Sequence, residues 1–227
     1  MAQTLDHLKS RPFATSYSDF TVKWASLEWE FEQALELRRK VFCLEQALFD
    51  QHDRDEIDDR AQCLVAIANH GGWPEKVVGT VRIHAHQQDV WWGSRLAVDQ
   101  EFRYQSGIGA ALIKLAVGSA RGFDCREFYA QVQQQNEALF RKLHWRSHYS
   151  LMVRERPHVM MQAQLSRFPI CHTPYSGYVL KGHDAVIPEI TCSSLLSMPG
   201  QDSQFNAPLN APLNAPLNAA GETHYAH

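Results

Sequence analysis

Hydrophobic and polar positions follow regular periods along the chain up to about residue 168. Phe20, Val22 and Trp24 alternate with polar residues, which predicts a strand, and apolar positions between residues 27 and 42 recur with the period of a helix. The same patterns predict six further strands, at residues 63–67, 77–84, 91–98, 127–132, 145–153 and 158–165, and two further helices, at residues 108–119 and 136–143. The strand–helix–strand unit over residues 94–131 predicts a partly parallel sheet that is covered by helices.

The two ends of the chain lack such a pattern. Residues 1–16 are polar and are expected to be flexible, and residues 169–205 are interrupted by proline and glycine and are expected to be an irregular extension. Residues 206–217 repeat Asn-Ala-Pro-Leu three times, and a proline at every fourth position cannot continue a helix. We therefore expect residues 206–227 to be a disordered tail and residues 17–168 to form the one folded domain.

Bulk composition excludes several classes of protein. The net charge of the 227 residues is −3, which argues against a nucleic-acid binder. The five cysteines are widely spaced with no C-x-x-C pair, so neither a disulfide framework nor a cysteine zinc site is expected. No apolar run reaches the roughly 20 residues of a membrane span, and residues 1–11 lack the apolar core of a signal peptide. These features favour a cytoplasmic protein with no membrane partner.

One segment carries the clearest chemistry in the chain. The predicted strand Arg95-Leu96-Ala97-Val98 is followed by a turn with one arginine and two glycines and then by an apolar helix. Glycines allow backbone N–H groups to approach an anion closely, and the N-terminus of the following helix adds its positive dipole end. This order predicts a phosphate-binding turn, and therefore a phosphorylated cofactor.

On these residues the chain resembles the GNAT superfamily of N-acetyltransferases. The resemblance covers residues 17–168 and is carried by Arg95-Leu96-Ala97-Val98, Phe102-Arg103, Gly107-Ile108-Gly109 and residues 136–145. Together with Arg156-Pro157-His158, these segments also resemble an acetyltransferase subfamily that is encoded beside nitrilases. The resemblance implies a mixed α/β (α+β) fold whose partly parallel central sheet of about seven strands is flanked by helices. It also implies transfer of an acetyl group from acetyl-CoA, or another acyl-CoA, to the amine of a small-molecule or amino-acid-like acceptor.

The resemblance also implies which residues contact the cofactor. Backbone groups of the strand at Leu96 and Val98 would pair with the pantetheine arm as an added strand does. Backbone N–H groups between Arg103 and Ala110 would hold the pyrophosphate, and Asn136 would contact the cofactor from the end of the next strand. The expected cofactor-binding set is Leu96, Ala97, Val98, Arg103, Gln105, Ser106, Gly107, Ile108, Gly109, Ala110, Asn136 and Phe140.

The chain departs from the family pattern at two positions. The family pattern runs Arg-x-x-Gly-x-Gly, with three steps from the arginine to the first glycine. Here four steps separate Arg103 from Gly107, so one residue is inserted around Tyr104. The family often has a tyrosine on its last helix that protonates the leaving thiolate, and Phe140 stands at that position here. Because a phenyl ring cannot donate a proton, another group or water must do so, or the transfer is slow or absent.

Acceptor chemistry has fewer sequence signals. Glu45, just after the first helix, and His84, at the end of the third strand, are the candidate general bases. The acidic segment at residues 50–60 has the charge to attract a cationic amine, but its composition is more typical of a solvated loop. The histidine pairs at 84/86 and 144/148 lack a third ligand in a recognisable motif, so no metal site is expected.

Other functions remain open at this stage. Arg39-x-Val41-Phe42 and the acidic stretch that ends at Asp58-Asp59 resemble the N-terminal half of acyl-homoserine-lactone synthases. The loss of the tyrosine at position 140 also leaves open a non-catalytic acyl-CoA sensor or partner module. A nucleotide-binding Rossmann domain is disfavoured because the glycine turn comes after several strands. The sequence leaves a homodimer open.

Overall fold

The computed structural model describes residues 17–86, 89–103 and 107–181. Its strands, in chain order, are β1 (Asp19–Trp24), β2 (Gln62–His70), β3 (Trp73–Ala85), β4 (Val90–Val98), β5 (Glu127–Gln133), β6 (Trp145–Val153), β7 (Arg156–Ala163) and β8 (Tyr178–Lys181). They form one sheet in the order β6-β7-β5-β4-β3-β2-β1-β8. Neighbouring strands are antiparallel except for β4 and β5, which are parallel. The structure therefore confirms the predicted mixed, partly parallel sheet.

Helices lie on both faces of this sheet. They are α1 (Glu28–Arg39), α2 (Ile108–Arg121) and α3 (Glu137–Lys142). Helix α1 continues into a π-helical turn, Lys40–Glu45, and short 3₁₀ turns lie at Glu56–Asp59, Gln100–Phe102, Gln134–Asn136 and Leu165–Arg167. The sequence pattern predicted a single helical period from residue 27 to residue 42, so it did not reveal the change to π-helical hydrogen bonding at Lys40–Glu45.

Helix α2 covers one face of the sheet, which we call the α2 face. Most of its residues are buried in the larger core, where Ile108 and Leu112 contact β3 at Gly79. A Cβ at Gly79 would lie 2.6 Å from Cγ2 of Ile108, so the absence of a side chain there sets how closely α2 approaches the sheet.

Helix α1 covers the opposite face, which we call the α1 face. Its apolar residues Ala34 and Leu37 form a second, smaller core with Val65, Ile67 and Val77 of the sheet. Because side chains alternate along a strand, β2, β3 and β4 supply residues to both cores. The two faces of β4 and β5 therefore present different chemistry, as described below.

The chain beyond residue 168 adds an element that the sequence pattern did not predict. Strand β8 pairs antiparallel with β1, within the segment 169–205 that was expected to be irregular. The segment before β8 is fixed to α2 because the amide of Cys171 donates to the carbonyl of Gly118 (2.9 Å). The strand itself is also fixed to α2, because the hydroxyl of Tyr178 donates to the carbonyl of Ala111 (2.5 Å). The expectations for residues 1–16 and 206–227 concern residues outside the described part of the chain.

Candidate functional site

A gap opens in the middle of the sheet between β4 and β5. The two parallel strands pair only from Val90 to Gly93 and from Glu127 to Ala130. Beyond this point β5 pairs with β7 alone and β4 pairs with β3 alone. The strands diverge where β4 carries a bulge, because Arg95 and Leu96 together stand opposite one residue of β3 and Arg95 has a positive φ of 55°.

Backbone groups of β4 line this gap. The amide of Asp99 donates to the carbonyl of Val78 on β3 (2.9 Å). Because amides alternate between the two edges of a strand, Leu96 and Val98 direct their N–H groups to the opposite edge, toward the gap. An extended ligand with amide groups can satisfy such a strand edge as an added strand does. Leu96 and Val98 thus border the gap, and their contact with a cofactor stays a prediction.

The N-terminus of α2 begins beside the end of β4. Gly107 precedes the helix with a left-handed backbone (φ 65°), and no side chain in the described part of the chain caps the first turn. The first helical amides, from Ile108 to Ala110, have no acceptor within the helix. Among the described residues, a Cβ at Gly109 would contact only Cγ2 of Val98, at 3.8 Å, and one at Gly107 would contact nothing within 4 Å. Helical amides of this kind are suited to bind an anion, here at the end of the gap.

Arg103 occupies the same corner and is already paired. Its Nε donates to the carbonyl of Val98 (2.9 Å), and its guanidinium forms an ion pair with Glu45. The structure therefore brings together one predicted phosphate contact and one predicted base. In this arrangement the Glu45 carboxylate neutralises an arginine and is not a free proton acceptor. Gln105 and Ser106, with the expected insertion at Tyr104, lie outside the described residues.

Two predicted cofactor contacts follow β5. Asn136 is exposed at the N-terminus of α3, which places its side chain near the end of the strand that borders the gap. Phe140 is buried, with its ring 5.1 Å from the ring of Trp145 in an edge-to-face contact. The ring of Phe140 thus belongs to the α2-face core and carries no polar group for the cofactor.

Three arginines and three aspartates form a charge-balanced cluster on the α1 face. Arg38 contacts Asp53 (2.8 Å) and Asp58 (2.6 Å), Arg82 contacts Asp55 and Asp58, and Arg95 contacts Asp53 and Asp55. Asp53 is only 1% exposed. The interpretation of residues 50–60 as a solvated loop is therefore wrong for its aspartates at 53 and 58, because their arginine partners lie on α1 and on the sheet.

Electrostatics in this cluster lower the pKa of the Asp55 and Asp58 carboxyls and favour their charged forms. Burial alone would raise the pKa of the Asp58 carboxyl, but the hydrogen bond from Arg38 and another from the backbone of Asp55 hold that pKa well below its usual range. The cluster fastens the loop after α1 to β3 and β4. It also places Arg95 at the loop, where its guanidinium lies 4.8 Å from the ring centre of Phe49.

His84, the other predicted base, is largely buried in the structure. Its side chain is 7% exposed, and its Nδ1 is buried without a hydrogen-bond partner. Burial lowers the pKa of the imidazole, and the nearby charges of Arg82 and Arg60 lower it further. The ring is therefore held neutral, but among cations and away from solvent. In the described part of the chain, no group of three or more His, Cys, Asp or Glu residues is placed to hold a metal ion.

A second buried histidine lies closer to the gap, and sequence reasoning gave it no role. His158 on β7 is 8% exposed and pairs directly with Gln133 of β5, within the segment of β5 that has no partner on β4. Gln133 donates to the side chain of Gln46, which follows the π-helical turn (2.9 Å). The only sequence signal was the Arg156-Pro157-His158 motif, because the position of β7 beside β5 appears only in the folded sheet.

Comparison with known proteins agrees with this geometry. The chain matches the acetyltransferase (GNAT) family over residues 22–145. A Lactobacillus plantarum structure assigned as an N-acetyltransferase superposes with a TM-score of 0.58 at 18% identity, covering 64% of this chain and 98% of that one. An acyl-CoA N-acyltransferase from Pseudomonas aeruginosa superposes with a TM-score of 0.52 at 19% identity, covering 64% of this chain and 99% of that one. Escherichia coli ElaA superposes with a TM-score of 0.53 at 15% identity, covering 65% of this chain and 99% of that one. No curated protein sequence matches the chain.

The chain therefore belongs to the acetyltransferase (GNAT) family, a family that uses acetyl-CoA or another acyl-CoA. The family match covers more than half of the chain, and the structural likeness independently gives the same fold. Within the described residues, no helix has both the length and the apolar character needed to cross a membrane.

Proposed function

We propose that the chain is an acyl-CoA-dependent N-acetyltransferase that moves an acetyl group directly from acetyl-CoA to the amine of a small-molecule or amino-acid-like acceptor. The observation that carries the proposal is the gap between β4 and β5, which leads to the uncapped N-terminus of α2. A strand edge suits a peptide-like arm, and free helical amides suit a diphosphate. Acyl-CoA combines these two chemical features in one molecule.

The residues present fit this substrate. The edge amides of Leu96 and Val98 would hold the pantetheine arm, and the amides from Ile108 to Ala110 would hold the pyrophosphate. Arg103 would add a positive charge once a phosphate competes with Glu45 for its guanidinium. The acceptor would approach from the α1 face, where the charge-balanced cluster fixes the loop after α1.

Transfer needs one group that accepts a proton from the acceptor amine and another that donates a proton to the leaving thiolate. The acceptor nitrogen forms a bond to the acetyl carbon and loses a proton, while the carbon–sulfur bond breaks and the thiolate gains one. Phe140 cannot supply that second proton. Ser94 is the first β4 residue past the last pair with β5, and its Oγ accepts a hydrogen bond from Nε of Arg82 (3.0 Å). No described residue accepts the hydroxyl proton of Ser94, so this proton would be available for donation at the apex of the gap.

The decisive test is release of CoA thiol from acetyl-CoA, followed with a thiol-trapping reagent in the presence of pooled amines, amino acids and peptides. The proposal predicts acceptor-dependent thiol release and an acetylated product of matching mass. Absence of acetyl-CoA binding by calorimetry would refute it.

The buried Phe140 specifically favours a second candidate, a non-catalytic acyl-CoA sensor. Binding of acetyl-CoA without thiol release across the whole panel would support the sensor instead. A parallel reaction with an acyl carrier protein as donor tests the synthase-like alternative, which predicts faster transfer from the carrier than from free CoA.

A further inference from the structure

We infer that His158 is the general base that takes the proton from the acceptor amine. The inference rests on the proposed acetyl transfer and adds the residue that drives its acceptor half. The supporting observations are the face of the sheet on which His158 lies, its place beside the gap, the orientation of its ring, and the engagement of the other candidate bases.

The face of the sheet follows from alternation along β7. Val159 and Met161 lie in the α2-face core, so His158 lies on the α1 face. Arg156, two residues earlier and therefore on the same face, reaches the carbonyl of Gln46 (3.4 Å). His158 thus faces the loop after α1, on the side from which the acceptor approaches.

The position along the sheet places His158 next to the gap. Its partner Gln133 directly opposes it across the antiparallel β5–β7 pair, and such partners have Cβ atoms roughly 4.5–5.5 Å apart. The other edge of this part of β5 is the wall of the gap. One strand therefore separates His158 from the space proposed for the thioester.

Hydrogen bonding fixes the ring and its tautomer. Nδ1 of His158 lies 2.9 Å from the backbone carbonyl of Arg156. A carbonyl oxygen can only accept, so Nδ1 carries the proton and Nε2 carries the lone pair in the neutral ring. Nε2 has no hydrogen-bond partner within the described residues, yet it is not one of the sealed polar atoms. This is the arrangement that a histidine base needs: one nitrogen anchored and the other open.

The remaining candidates are engaged elsewhere. Glu45 pairs with Arg103, and His84 has a buried Nδ1 without a partner and lies within the fields of the Arg82 and Arg60 charges. Protonating His84 would place a third positive charge among two arginines, which disfavours a role as proton acceptor.

The step that follows is balanced in atoms and charge. The acceptor nitrogen attacks the acetyl carbon, and its proton passes to Nε2 of His158 directly or through one water. The carbon–sulfur bond breaks, the thiolate takes the hydroxyl proton of Ser94 on β4, and Ser94 regains a proton from water. His158, now an imidazolium whose Nδ1–H still bonds to the carbonyl, returns its proton to solvent.

The test uses a variant that keeps the anchor and removes the base. In His158→Asn the side-chain amide can still donate to the Arg156 carbonyl, but no lone-pair nitrogen remains. We expect kcat to fall at least about 100-fold, while the calorimetric Kd for CoA and the melting temperature stay close to those of the wild type. His172→Asn, at an exposed histidine in the segment after β7, is the matched control and should retain full activity.

A second variant covers the case in which asparagine disturbs the strand. His158→Ala opens space for free imidazole, which should restore part of the lost rate in proportion to its concentration. If His158→Asn turns over within twofold of the wild type, or imidazole leaves His158→Ala unchanged, the assignment is overturned while the transferase remains. If the wild type itself releases no thiol with any acceptor, the proposed function falls, and this assignment falls with it.

Discussion

Replacement of Gly109 by glutamate tests the anion site at the start of α2. A Cβ at this position meets only Val98 at 3.8 Å, so the new side chain fits beside the end of β4 without a clash. Its carboxylate would then share the space proposed for the pyrophosphate. At a separation of about 6 Å and an effective dielectric of about 20, each phosphate charge is repelled by about 3 kcal/mol.

This repulsion corresponds to a loss of CoA affinity of more than about 100-fold, measured by isothermal titration calorimetry. Gly109→Gln is the matched control, since it has nearly the same shape without the charge and should weaken binding far less. Melting temperatures of both variants should not fall, because a residue other than glycine also suits the helix better. Equal Kd values for the two variants would refute the placement of the pyrophosphate.

The remaining predictions concern the framework around the site. Asp58→Asn should lower the free energy of unfolding by about 3 kcal/mol in urea titrations, because buried guanidinium groups lose their carboxylate. Since the folded pKa of Asp58 is depressed, the stabilisation by its carboxylate is complete above the unfolded pKa of about 3.9 and is lost as pH falls below that value. The free energy of unfolding of Asp58→Asn should therefore fall less steeply at acid pH than that of the wild type, and an equally steep fall would contradict this. Gly177→Ala should destabilise the fold strongly, because the new Cβ would overlap the carbonyl of Val22 on β1. Gly71→Ala has a similar φ and no described atom within 4 Å of its Cβ, so it should lower the free energy of unfolding by only about 1 kcal/mol. Equal melting temperatures for the two variants would argue against the packing before β8. Glu45→Gln should tighten CoA binding several-fold by releasing Arg103, and weaker binding would show that the pair does not compete with phosphate.

Local patterns predicted the elements that border the proposed cofactor end of the site. The strand at Leu96 and Val98 and the glycines before α2 are neighbours in sequence, so their spacing alone indicates the turn they make. The gap itself depends on where the β4–β5 pairing ends, after Gly93 and Ala130. That end point depends on a bulge and on the competing strand β7, neither of which has a local signature.

The acceptor side could not be derived in the same way. The partners of Asp53 and Asp58 lie on α1 and β3, and such distant pairing is invisible in a single sequence. The four-residue strand β8 was missed because so short a segment shows no period, and its place is fixed by contacts with β1 and α2. His158 becomes a candidate only once the sheet brings β7 beside β5.

The charge-balanced cluster has a structural consequence for the site. It ties residues 53–58 to α1, β3 and β4, while Gln46 bridges to β5 and Arg156. The loop after α1 is thus attached on both sides of the gap. Such attachment would hold the proposed acceptor side of the site in place before any ligand binds, which would limit the entropy lost on binding.

The central claim is that acyl-CoA occupies the gap between β4 and β5, with its diphosphate on the start of α2. The most direct measurement is backbone amide hydrogen exchange with and without acetyl-CoA. We predict slowed exchange at Leu96, Val98 and residues 108–110, with little change at β1 and β8. Saturating acetyl-CoA that leaves these amides unprotected would contradict the claim.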